Sequence, residues 1–108
     1  MTSKNDAQPK LILLIEDDDF VASMLKDLVE SFNYKVIHVK TAKEAISICE
    51  LENFQLVLLD LGLILYIAFW AAEQIHKLNK NIPIVGYTYG KVSKSLLRMA
   101  LLSSIQDV

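Results

Sequence analysis

Four short apolar runs, separated by stretches of helical period, constrain this chain more than any other feature. Leu11 to Ile15 is continuously apolar and bounded by polar residues, the length and texture of a strand buried on both faces. Phe20, Met24, Leu25, Leu28, Val29 and Phe32 then recur at helical spacing, and Asn33 breaks that helix. Tyr34 to Val39 is rich in β-branched residues and reads as a second strand. Thr41 and Glu44 form a T-x-x-E capping box that opens a helix with Ala42, Ala45, Ile46 and Cys49 on one face. Asn53 marks the next loop. Leu56 to Leu59 is a third strand, closed by Asp60, and the helix after it ends near Leu78. The turn Asn79-Lys80-Asn81 leads into Ile82 to Val85, a fourth strand, and Ser93 caps a last helix to about Leu102. Strands alternating with helices predict an α/β protein, with a parallel sheet covered by helices on both faces. Right-handed crossovers make that sheet doubly wound.

Bulk properties bound what such a chain can do. Its 108 residues suffice for one domain, and 53% of them are apolar. The formal net charge is -2 with both signs mixed along the chain, which argues against nonspecific nucleic-acid binding. The single cysteine, Cys49, rules out an intrachain disulfide and points to a reducing, cytoplasmic setting. Cys49 lies in a helical pattern and reads as a small buried apolar residue rather than a reactive thiol. Residues 1–9 are polar, lack the apolar stretch of a signal peptide, and read as a disordered lead to one domain over 10–108. Leu61 to Ala72 is unbroken by charge, but a membrane-spanning helix needs about 20 residues and Asp60 stops the run. No membrane span is expected.

In a doubly wound sheet the chemistry sits outside the carboxyl ends of the strands. Strand one ends in Glu16-Asp17-Asp18-Asp19, strand three in Asp60, and strand four near Thr88. Asp18 or Asp19 suits an N-cap, where a carboxylate opposes the helix dipole. Capping needs one or two acids and leaves Asp60 unexplained. Like charges about 4 Å apart repel by about 4 kcal/mol at an effective dielectric near 20, so such a cluster calls for a cation. Oxygen-only ligands suit Mg²⁺. His38 and His76 have no zinc-type spacing and read as surface or boundary residues. No Walker-type phosphate loop or nucleophile elbow is present. Thr88, taken alone, is a β-branched residue finishing a strand.

Three segments carry a family resemblance. Leu11-Ile-Leu-Leu-Ile-Glu-Asp-Asp-Asp-Phe20 resembles the opening of response-regulator receiver domains, whose first strand ends in an acidic pair. Phe54-Gln-Leu-Val-Leu-Leu-Asp60-Leu-Gly-Leu63 resembles the strand bearing the phosphoacceptor aspartate. Ile82-Pro-Ile-Val-Gly-Tyr-Thr88 resembles the fourth strand with its switch hydroxyl. The resemblance covers about residues 10 to 108 and implies a flavodoxin-like sheet of strand order 2-1-3-4. It implies that Asp60 accepts a phosphoryl group from a histidine kinase or phosphotransfer protein. Glu16, Asp17, Asp60 and the backbone carbonyl of Gly62 would hold Mg²⁺, and Thr88 would turn toward the phosphoryl group. In that role the chain is the modified substrate rather than an enzyme.

The chain also departs from the family's pattern. Where receivers place a proline and then an Asp-Gly pair after the acceptor, it has Ile64, Ile67 and Ala68. Ser103 to Val108 looks like the approach to a fifth strand, and the lysine and proline of that strand do not follow, so the domain reads as incomplete at its C-terminal end. Lys91 and Lys94 do not replace that lysine by motif. These departures support an alternative, a phosphorylation-independent pseudo-receiver that acts as a protein-binding module. The apolar segment suggests contact with another chain through Leu65, Tyr66, Phe69 and Trp70, or burial as a core helix turn. An uncovered edge on strand four would favour dimerisation or segment exchange.

Overall fold

The computed structural model describes residues 10–62 and 65–87. The N-terminal lead, Thr88, the Ser93-capped helix, Lys91, Lys94 and the approach to a fifth strand lie outside the described residues. The elements are β1 (Lys10–Ile15), α1 (Asp19–Glu30), β2 (Tyr34–Val39), α2 (Ala42–Leu51), β3 (Leu56–Asp60), α3 (Leu65–Leu78) and β4 (Ile84–Tyr87). The four strands are parallel, in the order β2-β1-β3-β4. The α/β alternation and the doubly wound sheet therefore stand as the pattern of apolar runs requires.

β1 lies inside the sheet, and Leu13, Leu14 and Ile15 are fully buried. Because side chains alternate across a strand, successive residues feed two cores. Leu13 and Ile15 join Val57, Leu59 and Ile84 beneath Ala45 of α2 and Ala68, Ala72 and Ile75 of α3. Leu14 joins Val36 and Ala22 on the opposite face, flanked by Leu25, Val29, Leu58 and Tyr87. α3 meets this core through small side chains, Ala68 and Ala72, together with Ile75. Much of the Leu61 to Ala72 run is thereby accounted for: Leu61, Ala68, Ala71 and Ala72 are buried and Phe69 packs against the core. Trp70 is 46% exposed, while the side chains of Leu65 and Tyr66 lie outside the described residues. Among the described residues no helix is long and apolar enough to cross a membrane.

Two boundaries and one face differ from expectation. β4 runs over Ile84–Tyr87 rather than Ile82 to Val85. Pro83 has no N–H to give the ladder and contributes only its carbonyl, which accepts from Val57 N–H at 3.0 Å. α1 ends at Glu30, and Asn33 takes a positive φ of 67° to turn the chain, a conformation asparagine tolerates better than most residues. The apolar face expected of α1 is wider than its contact with the sheet. Ala22 is buried and Leu25 and Val29 pack inward, but Phe20 is 72% and Phe32 69% exposed, with Met24 and Leu28 also outward. At 100° per residue, the positions four apart from Phe20 form their own stripe, which clears the sheet on one side.

Caps set where the helices begin. The Asp18 carboxylate accepts from Val21 N–H at 3.1 Å, so Asp18 is the N-cap of α1 and Asp19 lies in its first turn. Thr41 Oγ1 accepts from Glu44 N–H at 3.1 Å at the start of α2. Its hydroxyl also donates to the Glu44 carboxylate, so Glu44 closes on the Thr41 side chain rather than on its backbone N–H.

Candidate functional site

The carboxyl ends of β1, β3 and β4 meet at one edge of the sheet. Glu16 follows β1 directly, and its backbone is held from the β2 side. Its N–H donates to Val39 O at 3.0 Å, and His38 Nε2 lies 2.7 Å from its carbonyl oxygen. His38, which the sequence places at the surface or a boundary, is half-buried and supports the site.

Glu16 is 1% exposed, an extreme burial for an acid. Its Oε2 accepts from Asp18 N–H at 3.0 Å, and its Oε1 accepts from the Tyr87 hydroxyl. Asp60 is 4% exposed and its Oδ1 accepts from Gly62 N–H at 2.7 Å. Gly62 thus meets Asp60 as a donor, through its N–H. A Cβ at Gly62 would stand 3.0 Å from Asp60 Oδ1, so the glycine permits this close turn. Asp17 is exposed at the rim. Asp19, by contrast, turns to Lys40 Nζ at 2.8 Å on the surface, which leaves it a helix-end and ion-pair role.

Glu16, Asp17 and Asp60 each present an oxygen within 4.8 Å of the others. The acids after β1 therefore divide their work: Asp18 caps α1, Asp19 pairs with Lys40, and Glu16 and Asp17 converge with Asp60. Burial pushes the Asp60 carboxyl up to about 6. The Gly62 N–H pulls it back, while the charge and hydrogen bond of Glu16 and the charge of Asp17 raise it further. Burial and the two neighbouring acids thus favour its neutral form. The donor set is all oxygen, and ligands about 2.1 Å from an octahedral ion stand up to about 4.2 Å apart, a spacing close to the 4.8 Å within which these oxygens lie. The cluster thus fits a divalent metal.

Sequence reasoning misses Tyr87, although its hydroxyl reaches this corner. It pairs with Asp60 across the β3-β4 ladder. Thr88, the next residue, is outside the described residues. Cys49 is half-buried against the core, and burial raises its thiol to about 11, in keeping with a packing role.

Comparisons with known proteins bear on the family and the fold. The sequence model of the response regulator receiver domain matches residues 12–108. The chain is 29% identical over 99 residues to the CAI-1 autoinducer sensor kinase/phosphatase CqsS of Vibrio cholerae, a match that covers 89% of this chain and 14% of that protein. The chain therefore spans about one seventh of the curated relative's length. A CheY-like receiver domain protein of Methanospirillum hungatei superposes with a TM-score of 0.81 at 27% identity, over 93% of this chain and 79% of that one. The receiver domain of the sensor histidine kinase PA1611 of Pseudomonas aeruginosa, with magnesium coordinated in its active-site cleft, superposes with a TM-score of 0.78. At 22% identity over 92% of this chain and 82% of that one, it shares the fold.

Proposed function

This chain belongs to the response regulator receiver domain family of two-component signalling, and from that membership we propose that Asp60 is its phosphoacceptor. The observation that carries the assignment is the convergence of Asp60 with Glu16 and Asp17 at the carboxyl edge of the sheet. A carboxylate oxygen of Asp60 forms a bond to phosphorus as the bond from phosphorus to a donor histidine nitrogen breaks. The imidazole leaves and an aspartyl phosphate remains. The Gly62 N–H on Oδ1 fixes the plane of the carboxylate for that attack. Glu16, Asp17, Asp60 and the Gly62 carbonyl would hold Mg²⁺, which offsets charge on the transferring oxygens when bound. Asp60 must be ionised to attack, and a neighbouring cation favours its ionised form.

Thr88 belongs to the same proposal as the switch hydroxyl, on the strength of its position after β4. The donor is a histidine kinase or phosphotransfer protein, and the setting is cytoplasmic. The match to part of a sensor kinase supports a kinase-linked phosphorelay.

Incubation with Mg²⁺ and a small acyl-phosphate donor tests the assignment. The expected result is an intact mass raised by one phosphoryl group, abolished by Asp60→Asn. No mass gain, with no Mg²⁺ binding, leaves the scaffold as a binding module that works without phosphorylation.

A further inference from the structure

Glu16 is the buried hub of the acidic corner, and two donors from outside the carboxylate cluster meet its side chain. Asp18 N–H is local, only two residues away. The Tyr87 hydroxyl comes from 71 residues further along the chain, at the last residue of β4. Tyr87 is the cross-strand partner of Asp60, so its side chain leaves the sheet on the same face as that of Asp60. Its ring packs against the cluster of Leu14, Ala22 and Val36, which anchors the phenol while its oxygen reaches the acid.

We infer that Tyr87 is a positioning residue of the metal site: its hydroxyl, donated to Glu16 Oε1, holds that carboxylate in its ligating pose and ties metal occupancy to the end of β4. The inference rests on reading Glu16, Asp17 and Asp60 as a Mg²⁺ site.

The chemistry of the carboxylate supports this assignment. Two carboxylate oxygens offer about four lone-pair sites. Tyr87 and Asp18 each engage one, which leaves lone pairs for a cation. Without the phenol, Glu16 Oε1 loses its long-range donor and must be ordered when the ion binds. Loss of such an outer partner typically weakens metal binding about 10- to 100-fold. The coupling also runs in reverse. A dication drawing on Glu16 makes its carboxylate a poorer acceptor, so the Tyr87 O–H bond must respond.

The test titrates the full chain with Mg²⁺ alone. Calorimetry gives the dissociation constant, and the ζ-¹³C resonance of Tyr87, assigned through the backbone, reports on the phenol. For the wild type, the resonance is expected to shift with the calorimetric dissociation constant. Tyr87→Phe is expected to bind Mg²⁺ at least about tenfold more weakly, while Tyr34→Phe on β2 binds like the wild type. The inference is overturned if the wild type binds Mg²⁺ with the Tyr87 resonance unmoved, or if Tyr87→Phe binds as tightly as the wild type. If the wild type does not bind Mg²⁺ at all, the metal reading falls and the positioning role falls with it. If Tyr87→Phe does not fold, the wild-type resonance decides by itself.

Discussion

Replacing Asp60 by asparagine should stabilise the metal-free protein at pH 8. Burial and the neighbouring acids raise the Asp60 carboxyl from 3.8 to about 6. Each tenfold loss of acidity corresponds to about 1.4 kcal/mol, so ionised Asp60 costs the fold up to about 3 kcal/mol. Asp17 and Gly62 leave the rim open to water, and screening there reduces the figure to about 1–2 kcal/mol. Asparagine keeps an oxygen for Gly62 N–H, offers an N–H to Glu16, and carries no charge. For a domain of this size, 1 kcal/mol moves Tm by about 4–8 °C, so a rise of roughly 5–15 °C is expected in chelator at pH 8. The pH dependence has a defined sign. Because the folded-state value is raised, the stability contributed by the protonated acid is present below about pH 4 and is lost as pH climbs through about 6. The advantage of Asp60→Asn should therefore shrink to little at pH 4. Thermal melts followed by circular dichroism at the two pH values measure this directly. Equal melting at pH 8, or an equal gain at both pH values, would refute the electrostatic account of Asp60. Adding Mg²⁺ at pH 8 should raise the wild-type Tm and leave Asp60→Asn nearly unchanged.

Other substitutions address the scaffold. A Cβ at Gly86 would meet the buried Leu61 side chain at 2.9 to 3.1 Å, so Gly86→Ala should destabilise by about 1–3 kcal/mol in urea unfolding. Asp18→Ala removes the carboxylate that accepts Val21 N–H, and should cost about 1 kcal/mol in the same assay. Cys49, raised by burial to about 11, should react slowly with a thiol reagent at pH 7.5 and fully once the chain is unfolded; rapid labelling of the native protein would contradict its packing.

Much of the site is legible in the chain itself. Ile15-Glu16 and Leu59-Asp60 each show an apolar strand closing in an acid, and a parallel sheet has to bring such ends to one edge. An acidic cap is legible at Asp18 or Asp19, because an acid directly before a helical period has that use, and only the structure chooses Asp18. α1 is less legible: its apolar residues share the helical period, but period alone does not say how much of the arc a sheet covers. The start of β4 is obscured because Ile82 and Ile84 look equally strand-like. Only the ladder shows that Pro83 delays the pairing.

The alternation of apolar runs with helical periods, and the acids that end those runs, determined the sheet, its parallel sense and the edge where chemistry collects. Those are local properties, set by side-chain period and by where hydrophobicity stops. Register was decided only in three dimensions. Pairing of Asp60 with Tyr87 places a phenol from the end of β4 beside an acid at the end of β1, and Glu16 is buried there. No one-dimensional pattern encodes that meeting, because it depends on how far each strand slides along its neighbour before the two cores close.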